Sequence, residues 1–411
     1  MAENTLWVLT EVYYPEEIST GYYLTSIAEC LARDRVVKVL TGQPKHMSRG
    51  TRAPKKEIRN GVEIVRSSGT TLDKNILAFR LINMFTIGVS IFFKSVKLFK
   101  RGDQVMVVTA PPSLPVTTAL AALLKGASFT LLVQDSYPEI LIAVGAAKRN
   151  SVFVQIIHFF NHWVYKNAAT IIVMGRDMNE SFVQKTAGLD AYIVTIPNWA
   201  DLDSIQPTPR DENPLLKELG IGDRFVLMYA GNIGHPTDVE TIVECAGDLI
   251  DREEFHFVFI GAGAKKMWLT GEVEKRTLSN VTVLDYQPRA SQNIFLNACD
   301  VGLVALIKGM CGTAMPSRTY NIMAAGKPVL ALAEEGSELA RVIDEEGIGR
   351  WVEPGNALAL KQAIIDLYEA KTEREDMGTR ARSAAVAKYS PALACSRYRE
   401  ALSGDRFDTA L

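Results

Sequence analysis

The stretch Phe225-Val226-Leu227-Met228-Tyr229-Ala230-Gly231-Asn232-Ile233-Gly234 decides the fold of this chain. An apolar, strand-forming run passes straight into a glycine-bounded turn, and a helical pattern over residues 238–250 follows at once. A strand that ends in such a turn and feeds a helix is the opening unit of a doubly wound α/β domain. The turn also has a chemical meaning, because backbone N–H groups and a helix N-terminus beside it suit an anion. A plain tight turn needing positive φ would recruit the same glycines.

Toward the C-terminus the rhythm repeats, with apolar runs at residues 255–260, 281–284, 301–306, 329–332 and 349–352 separated by helical segments. Toward the N-terminus it is broken by the Pro-, Asp- and Asn-rich residues 197–214, which read as a linker. Before that break the same alternation runs through residues 6–10, 36–41, 62–66, 105–109, 129–133, 169–173 and 192–196. The expectation is an α/β chain of two facing Rossmann-like domains, residues 1–200 and 201–388, with an interdomain cleft. Residues 389–411 form a last helix that caps the second domain or crosses back to the first. In open α/β sheets ligands bind beyond the carboxyl ends of the strands, so the loops after the strands should carry the chemistry.

Composition agrees with two globular domains: 411 residues, 47% hydrophobic and 22% charged. The net charge of −2 conceals an asymmetry, with 22 Lys and Arg against 15 Asp and Glu in residues 1–200 and 23 against 32 thereafter. Only the first half is therefore drawn to anionic surfaces, and no nucleic-acid partner is expected. The five cysteines are scattered and odd in number, which predicts free thiols in a reducing cytoplasm rather than a disulfide framework. A strand-like run within ten residues of Met1 predicts no secretory signal.

A second loop, Lys308-Gly309-Met310-Cys311-Gly312-Thr313-Ala314-Met315-Pro316-Ser317-Arg318, leads into a short helix that Gly326 ends. Lys308 and Arg318 can reach a phosphate, and Ser317 or the N–H groups at that helix start can add hydrogen bonds. A capped helix with solvated cations is the bland alternative. Asp135 ends an apolar strand, where its carboxylate can accept a hydrogen bond or a proton, or can serve as a turn residue ahead of Pro138. His158 and His162 stand one helical turn apart among Phe159, Phe160 and Trp163, and read as packing residues rather than metal ligands. Gly261-Ala262-Gly263 reads as a tight turn.

Residues 75–100 fall outside the rhythm. Their apolar core, residues 81–93, spans about 20 Å as a helix, short of the about 30 Å hydrocarbon layer. Phe85, Phe92 and Phe93, flanked by Arg80, Lys94 and Lys97, fit an interfacial helix whose basic flanks meet anionic lipid. A long helix buried against the sheet is the alternative.

The strings "YAGNIG" (229–234), "FHFVFIGAGA" (255–264), "NVTVLDYQPR" (280–289), "ACDVGLVAL" (298–306), "PSRTYNIMAAGKPVLA" (316–331), "GSELARVI" (336–343) and "GIGRWVEPGN" (347–356) resemble, in order and spacing, the nucleotide-binding half of family 4 glycosyltransferases. "TEVYYPEEISTGYYLTSIAECLA" (10–32), "VVTAPPSLP" (107–115) and "LLVQDSYPEILIAVG" (131–145) are similar to the branch that serves capsule, colanic acid and O-antigen pathways. The resemblance implies a GT-B architecture and a hexosyl or N-acetylhexosaminyl transfer with retention. It implies a nucleotide-diphosphate sugar, a UDP-sugar by preference, as co-substrate, with no other cofactor and no metal. The implied acceptor is a polyprenyl-diphosphate-linked saccharide, met by a peripheral enzyme at the inner face of the cytoplasmic membrane.

By position, Gly231, Asn232, Ile233 and Gly234 would lie under the diphosphate, Gln287 would meet the base through its backbone, and Arg318 would pair with phosphate. Glu338 would open the helix facing the sugar-diphosphate, and Gly21 would belong to the loop that closes over the donor; Lys308 and Ser317, read from their own chemistry and not as family matches, and Asn321, in the place of a family glutamate, complete the expected donor side. The chain departs from the family where two glutamates seven residues apart are replaced by Thr313 and Asn321, where Asn232 and Thr237 stand for an Arg and a Lys, and where Gln134 stands for a His. A nucleotide-sugar-binding partner without activity, and an epimerase or hydrolase on the same fold, are the alternatives. A nicotinamide oxidoreductase is excluded by residues 11–15, which replace the glycine-rich turn after the first strand.

Overall fold

The computed structural model describes residues 4–44, 52–70 and 77–403, and leaves aside the side chains of residues 77, 78, 80, 81 and 84. Two compact units divide them. One holds the residues up to Pro138, Ala147–Pro197 and those from Cys395 on; the other holds Glu139–Ala146 and Asn198–Ala394.

The first unit is built on β1 (Leu6–Leu9), β2 (Val37–Thr41), β3 (Lys56–Arg59), β4 (Val62–Arg66), β5 (Gln104–Val108), β6 (Ser128–Val133), β7 (Thr170–Val173) and β8 (Ile193–Thr195). Their order across the sheet is β3-β4-β2-β1-β5-β6-β7-β8, parallel except for β3 against β4. Strand order reverses between β1 and β5, which makes the loops after those strands and after β6 the natural ligand edge. Burial on both faces explains why the central strands are continuous apolar runs: every residue of β1 is buried. The edge strand β3 escaped the sequence reading because it is Lys-Glu-Ile-Arg, its Ile58 exposed, and offers no apolar run.

The helices of this unit are α1 (Ser19–Leu31), α2 (Leu77–Leu98), α3 (Ser113–Lys125), α5 (Val152–Asn167) and α6 (Arg176–Lys185), while α4 (Glu139–Ala143) belongs to the second unit. The basic, apolar segment is α2, longer than its apolar core suggested, with Ile87 and Ile91 buried and Gly88 against Ser113 and Thr117 of α3. Ile82, Phe85 and Phe93 are exposed, Phe92 is half-buried with its ring 5.5 Å from that of Phe93, and the side chain of Arg80 lies outside the described residues. Lys97 is exposed, but Lys94 is not a free basic flank: its Nζ donates to the carbonyl of Arg66 at 2.6 Å, and desolvation lowers its pKa. Among the described residues no helix is long and apolar enough to cross a membrane.

Two expectations need correction. Phe159 and Phe160 are exposed on α5, as are His158 and His162, so this stretch is not packing. Its helical spacing was read correctly, but its apolar side faces away from the buried Val154 and Val164. Cys30 of α1 and Cys395 are joined as a disulfide, Cα to Cα 6.3 Å, leaving Cys245, Cys299 and Cys311 as thiols. The pair is 365 residues apart, so local spacing carried no sign of it.

The second unit has β9 (Phe225–Ala230), β10 (Phe255–Ile260), β11 (Val281–Leu284), β12 (Val301–Ala305), β13 (Val329–Leu332) and β14 (Gly349–Val352), all parallel in the order β11-β10-β9-β12-β13-β14. Around them run α7 (Pro214–Leu219), α8 (Val239–Asp248), α9 (Lys266–Lys275), α10 (Gln292–Ala298), α11 (Arg318–Ala324), α12 (Glu338–Glu346), α13 (Ala357–Glu369) and α14 (Lys371–Lys388). The core joins Phe225, Leu227 and Tyr229 of β9 to Phe257 and Phe259 of β10 and to Leu360 and Ile364 of α13. A last helix, α15 (Pro391–Ala401), carries Cys395 into the first unit.

Candidate functional site

Because β9, β12 and β13 are parallel neighbours, the loops that leave their carboxyl ends emerge side by side. Three contacts knit these loops. Ile307 N–H donates to the carbonyl of Pro236 at 3.0 Å. The carboxylate of Glu334, after β13, accepts from the N–H of Gly309 at 2.8 Å and of Cys311 at 3.0 Å. The guanidinium of Arg318, at the start of α11, reaches the carbonyl of Asn232 at 3.4 Å.

The turn after β9 uses its glycines for close approach. Gly231 has φ +147°, and a Cβ there would meet Arg318 Cζ at 2.8 Å. A Cβ on Gly261 would fall on the carbonyl oxygen of Gly231, and one on Gly263 on that of Ile233. Within the turn, Gly231 N–H and the buried Ile233 N–H are bonded to the carbonyls of Ile260 and Ala262, at 2.8 and 2.9 Å. The N–H groups of Asn232 and Gly234 have no acceptor among the described residues. Alternate donors are thus presented, not all four. The N-terminus of α8 does not add to them, because the Asp238 carboxylate already accepts from Thr241 N–H at 3.2 Å and Gly355 N–H at 2.8 Å. A negative charge capping that helix repels a second anion.

Arg318 is the organising cation. Half-buried, it stacks over the ring of Tyr229 with Cζ 4.2 Å from the centroid. Tyr229 in turn donates its hydroxyl to the carbonyl of Asn232 at 2.7 Å. Arg318 Nη1 is buried with no hydrogen-bond partner, and no carboxylate pairs with the side chain among the described residues. An unpaired buried guanidinium N–H is costly unless an acceptor arrives, and a phosphate oxygen suits it. Lys308 stands exposed in the neighbouring loop without an ion-pair partner among the described residues. Lys265, by contrast, is committed to Glu240 at 2.9 Å and to the carbonyl of Thr237 at 2.8 Å.

The other expected donor residues are placed more variously. Ser317 precedes α11 without capping it through its side chain. Asn321 is buried on α11, where its Oδ1 accepts from Asp201 N–H at 3.2 Å, so this amide holds the linker. Thr313 is buried in the loop after β12. Glu338 is the buried first residue of α12, beside Ser337, whose hydroxyl accepts from Ala340 N–H. Gln287 is exposed after β11. Sequence reading assigned no role to Tyr229 or Glu334; an aromatic ending a strand just before the glycine turn was the available signal for the first, and the second had none.

The chain's Asp-x-Asp sequence, Asp201-Leu202-Asp203, does not offer a free carboxylate pair. Asp201 is tied to Arg289 Nη2 and Ser204 N–H, both at 3.2 Å. Among the described residues no group of three His, Cys, Asp or Glu side chains is arranged to hold a metal.

In the first unit Gly21 lies in the first turn of α1, where a Cβ would fall on the carbonyl oxygen of Glu16. Asp135 follows β6, its N–H 3.4 Å from the hydroxyl of Thr109 after β5. Its carboxyl makes no ion pair among the described residues, and burial pushes its pKa up to about 6. Beside it Gln134 Oε1 is buried without a partner. A carboxylate with that pKa exchanges a proton near neutral pH, as a general base or acid must.

Residues 211–384 match the family model described as glycosyl transferases group 1. The chain is 33% identical over 314 residues to WbjE of Pseudomonas aeruginosa, described as a probable glycosyltransferase, covering 75% of this chain and 76% of that one. It is 25% identical over 364 residues to WcaI of Escherichia coli K12, which carries the name colanic acid biosynthesis glycosyl transferase, covering 86% and 89%. Among solved structures it is similar to HepE of Anabaena in complex with UDP and glucose, with a TM-score of 0.74 at 13% identity over 98% of this chain and 100% of that one. The two doubly wound sheets are those of the GT-B fold, and the chain belongs to the glycosyl transferases of group 1.

Proposed function

We propose that the chain transfers a hexosyl or N-acetylhexosaminyl group from a UDP-sugar to a lipid-linked saccharide, with retention, in surface polysaccharide biosynthesis. The observation that carries the reading is the buried, unpartnered Nη1 of Arg318 beside the free N–H groups of Asn232 and Gly234. These donors belong to the loops after β9 and β12, which the Arg318 contact to the Asn232 carbonyl joins, and donors of this kind suit the oxygens of a diphosphate. UDP is preferred because HepE, of the same fold, is described with it, and the polysaccharide setting because of the name of WcaI.

In the proposed reaction the bond from the sugar's anomeric carbon to the diphosphate oxygen breaks. Arg318, Lys308 and the loop N–H groups meet the charge that grows on the leaving diphosphate. The acceptor hydroxyl bonds to the anomeric carbon on the face the diphosphate leaves, and Asp135 takes its proton. The enzyme works in the cytoplasm and at the inner face of the membrane, with α2 as the contact through Arg80, Phe85, Phe92, Phe93 and Lys97. Lys94 contributes its aliphatic stem only, its ammonium being bonded to Arg66.

A thermal-shift panel of UDP-, GDP- and ADP-sugars tests the donor. A ligand at one hundred times its dissociation constant adds about 2.7 kcal/mol of stability. A cooperative melt that no nucleotide sugar moves would overturn the reading.

A further inference from the structure

We propose that the lipid-facing surface is not α2 alone but the three-helix layer α2–α3–α5 of the first unit, with α5 entering deepest, and that its occupant is an anionic bilayer. The inference rests on the reading of a membrane-peripheral enzyme and extends that role to α3 and to α5, whose Phe159 and Phe160 the sequence had given to packing.

Helix α3 packs between α2 and α5. Each of the three turns an apolar stripe outward. On α5 the exposed side chains are Val152, Phe153, Ile156, Phe159 and Phe160, spaced as one face of a helix. On α3 they are Leu120, Leu123 and Leu124, and on α2 Ile82, Phe85 and Phe93. Among the described residues, eleven of the 21 exposed large apolar side chains lie on these helices, including every exposed phenylalanine. Soluble surfaces scatter such side chains singly, so their concentration on three neighbouring helices marks a contact surface.

Charge selects the occupant. None of the three helices contains an Asp or a Glu. Their charged residues are all basic: Arg80, Lys97, Lys125 and Lys166, with Lys94 held by the Arg66 carbonyl. The turn before α5 adds the exposed Lys148 and Arg149, and the segment after α2 adds Lys100 and Arg101. Apolar side chains on helices whose only charges are cationic are what a headgroup layer of anionic lipid accommodates: rings enter the acyl boundary while ammonium and guanidinium groups stay with the phosphates. A protein partner would commonly be met with charges of both signs at the rim.

The test compares three proteins on vesicles of phosphatidylglycerol and phosphatidylcholine in equal parts, and on phosphatidylcholine alone. They are the wild type, a triple variant of α3 and α5 (Leu124→Ser, Phe153→Ser, Phe159→Ser), and a double variant of α2 (Phe85→Ser, Phe93→Ser). All substituted side chains are exposed, and unchanged melting and UDP binding confirm the fold. The expected result is wild-type co-sedimentation with the anionic vesicles, weakened by salt, and a loss of more than about tenfold in partitioning for the triple variant. If the triple variant binds as wild type while the double variant is released, the inference fails and the peripheral reading stands on α2. If the wild type binds neither vesicle, both fail together. If sedimentation shows a wild-type dimer that the triple variant breaks into monomers, the layer is a self-association surface and the inference is wrong.

Discussion

Arg318 and Tyr229 form a stacked pair, the guanidinium carbon 4.2 Å from the ring centroid, and the hydroxyl of the same ring holds the carbonyl of Asn232 at 2.7 Å. One buried tyrosine therefore fixes both the cation and the turn that would lie under a diphosphate. Replacing Arg318 with Ala should weaken UDP-sugar binding by on the order of 1.5–3 kcal/mol, the worth of a charge-assisted hydrogen bond. Tyr229→Phe keeps the stacking and loses only the hydroxyl contacts, so its loss should be about 0.5–1.5 kcal/mol. Calorimetry that finds donor affinity unchanged in Arg318→Ala sinks the phosphate assignment.

The glycines of this region are predicted to act through space rather than through flexibility. In Gly261→Ala the new methyl falls on the Gly231 carbonyl, and φ at this position is +158°. The turn after β9 must then move, at a cost of about 1–3 kcal/mol in stability with loss of UDP binding. Gly271, on α9, has nothing within 4 Å of an added Cβ, and Gly271→Ala should be neutral or stabilising. Equal melting temperatures for the two variants would contradict this.

The strands were legible because a buried parallel strand is an uninterrupted apolar run, and β9, β12 and β13 announce themselves so. The charged edge strand β3 does not, since pairing on one side and solvent on the other leave no pattern to read. In the site, Gly231 and Arg318 were visible as residue types in sequence. That the N–H groups of Gly231 and Ile233 are spent on Ile260 and Ala262 is a fact of tertiary pairing. The amide of Asn321 shows the same limit: it was expected on the donor side, whereas packing aims its oxygen at the Asp201 backbone. Cys30 and Cys395 are the extreme case, brought together only by the return of α15.

That disulfide gives a direct chemical test. Protein purified without reductant and then denatured should titrate three thiols, those of Cys245, Cys299 and Cys311, and five after reduction. Cys395→Ser should lower stability by about 2–4 kcal/mol under oxidising conditions and by little under reducing ones, where the wild-type pair is also open. Five thiols before reduction would show that the pair stays as two thiols.

Asp135 ties stability to activity. Burial raises its pKa to about 6, against about 3.9 for an unfolded Asp. A carboxyl raised in the native state favours folding through its protonated form: that contribution is full below about pH 4 and is lost as pH rises through 6. At pH 7 the ionised side chain is therefore a burden, and Asp135→Asn should be more stable than wild type by about 1–3 kcal/mol, with no gain at pH 4. As a proton acceptor the same group should give wild-type kcat/KM an acidic limb near pH 6, and the Asn variant should lose that limb with most of its activity. A variant that keeps full activity and the same pH profile would remove Asp135 from the chemistry.

The last prediction concerns stereochemistry and charge. The leaving diphosphate needs positive charge, and Arg318 and Lys308, neither in an ion pair among the described residues, offer it together with the Asn232 and Gly234 N–H groups. The Asp-x-Asp sequence offers no equivalent, since Asp201 is locked to Arg289. Transfer should therefore proceed in the presence of chelator at the rate seen with added divalent metal, and Arg318→Ala should slow it by about 10–100-fold, as removal of a charge-assisted contact worth on the order of 1.5–3 kcal/mol implies. Arg318→Lys should restore only part of the rate, because a point charge cannot reproduce both the stacking on Tyr229 and a forked phosphate contact. If the acceptor bonds on the face the diphosphate leaves, product NMR will show the donor's anomeric configuration in the new glycosidic bond. Inversion in that spectrum, or activity abolished by chelator and restored by metal, would mean that these loops hold the donor in some other way.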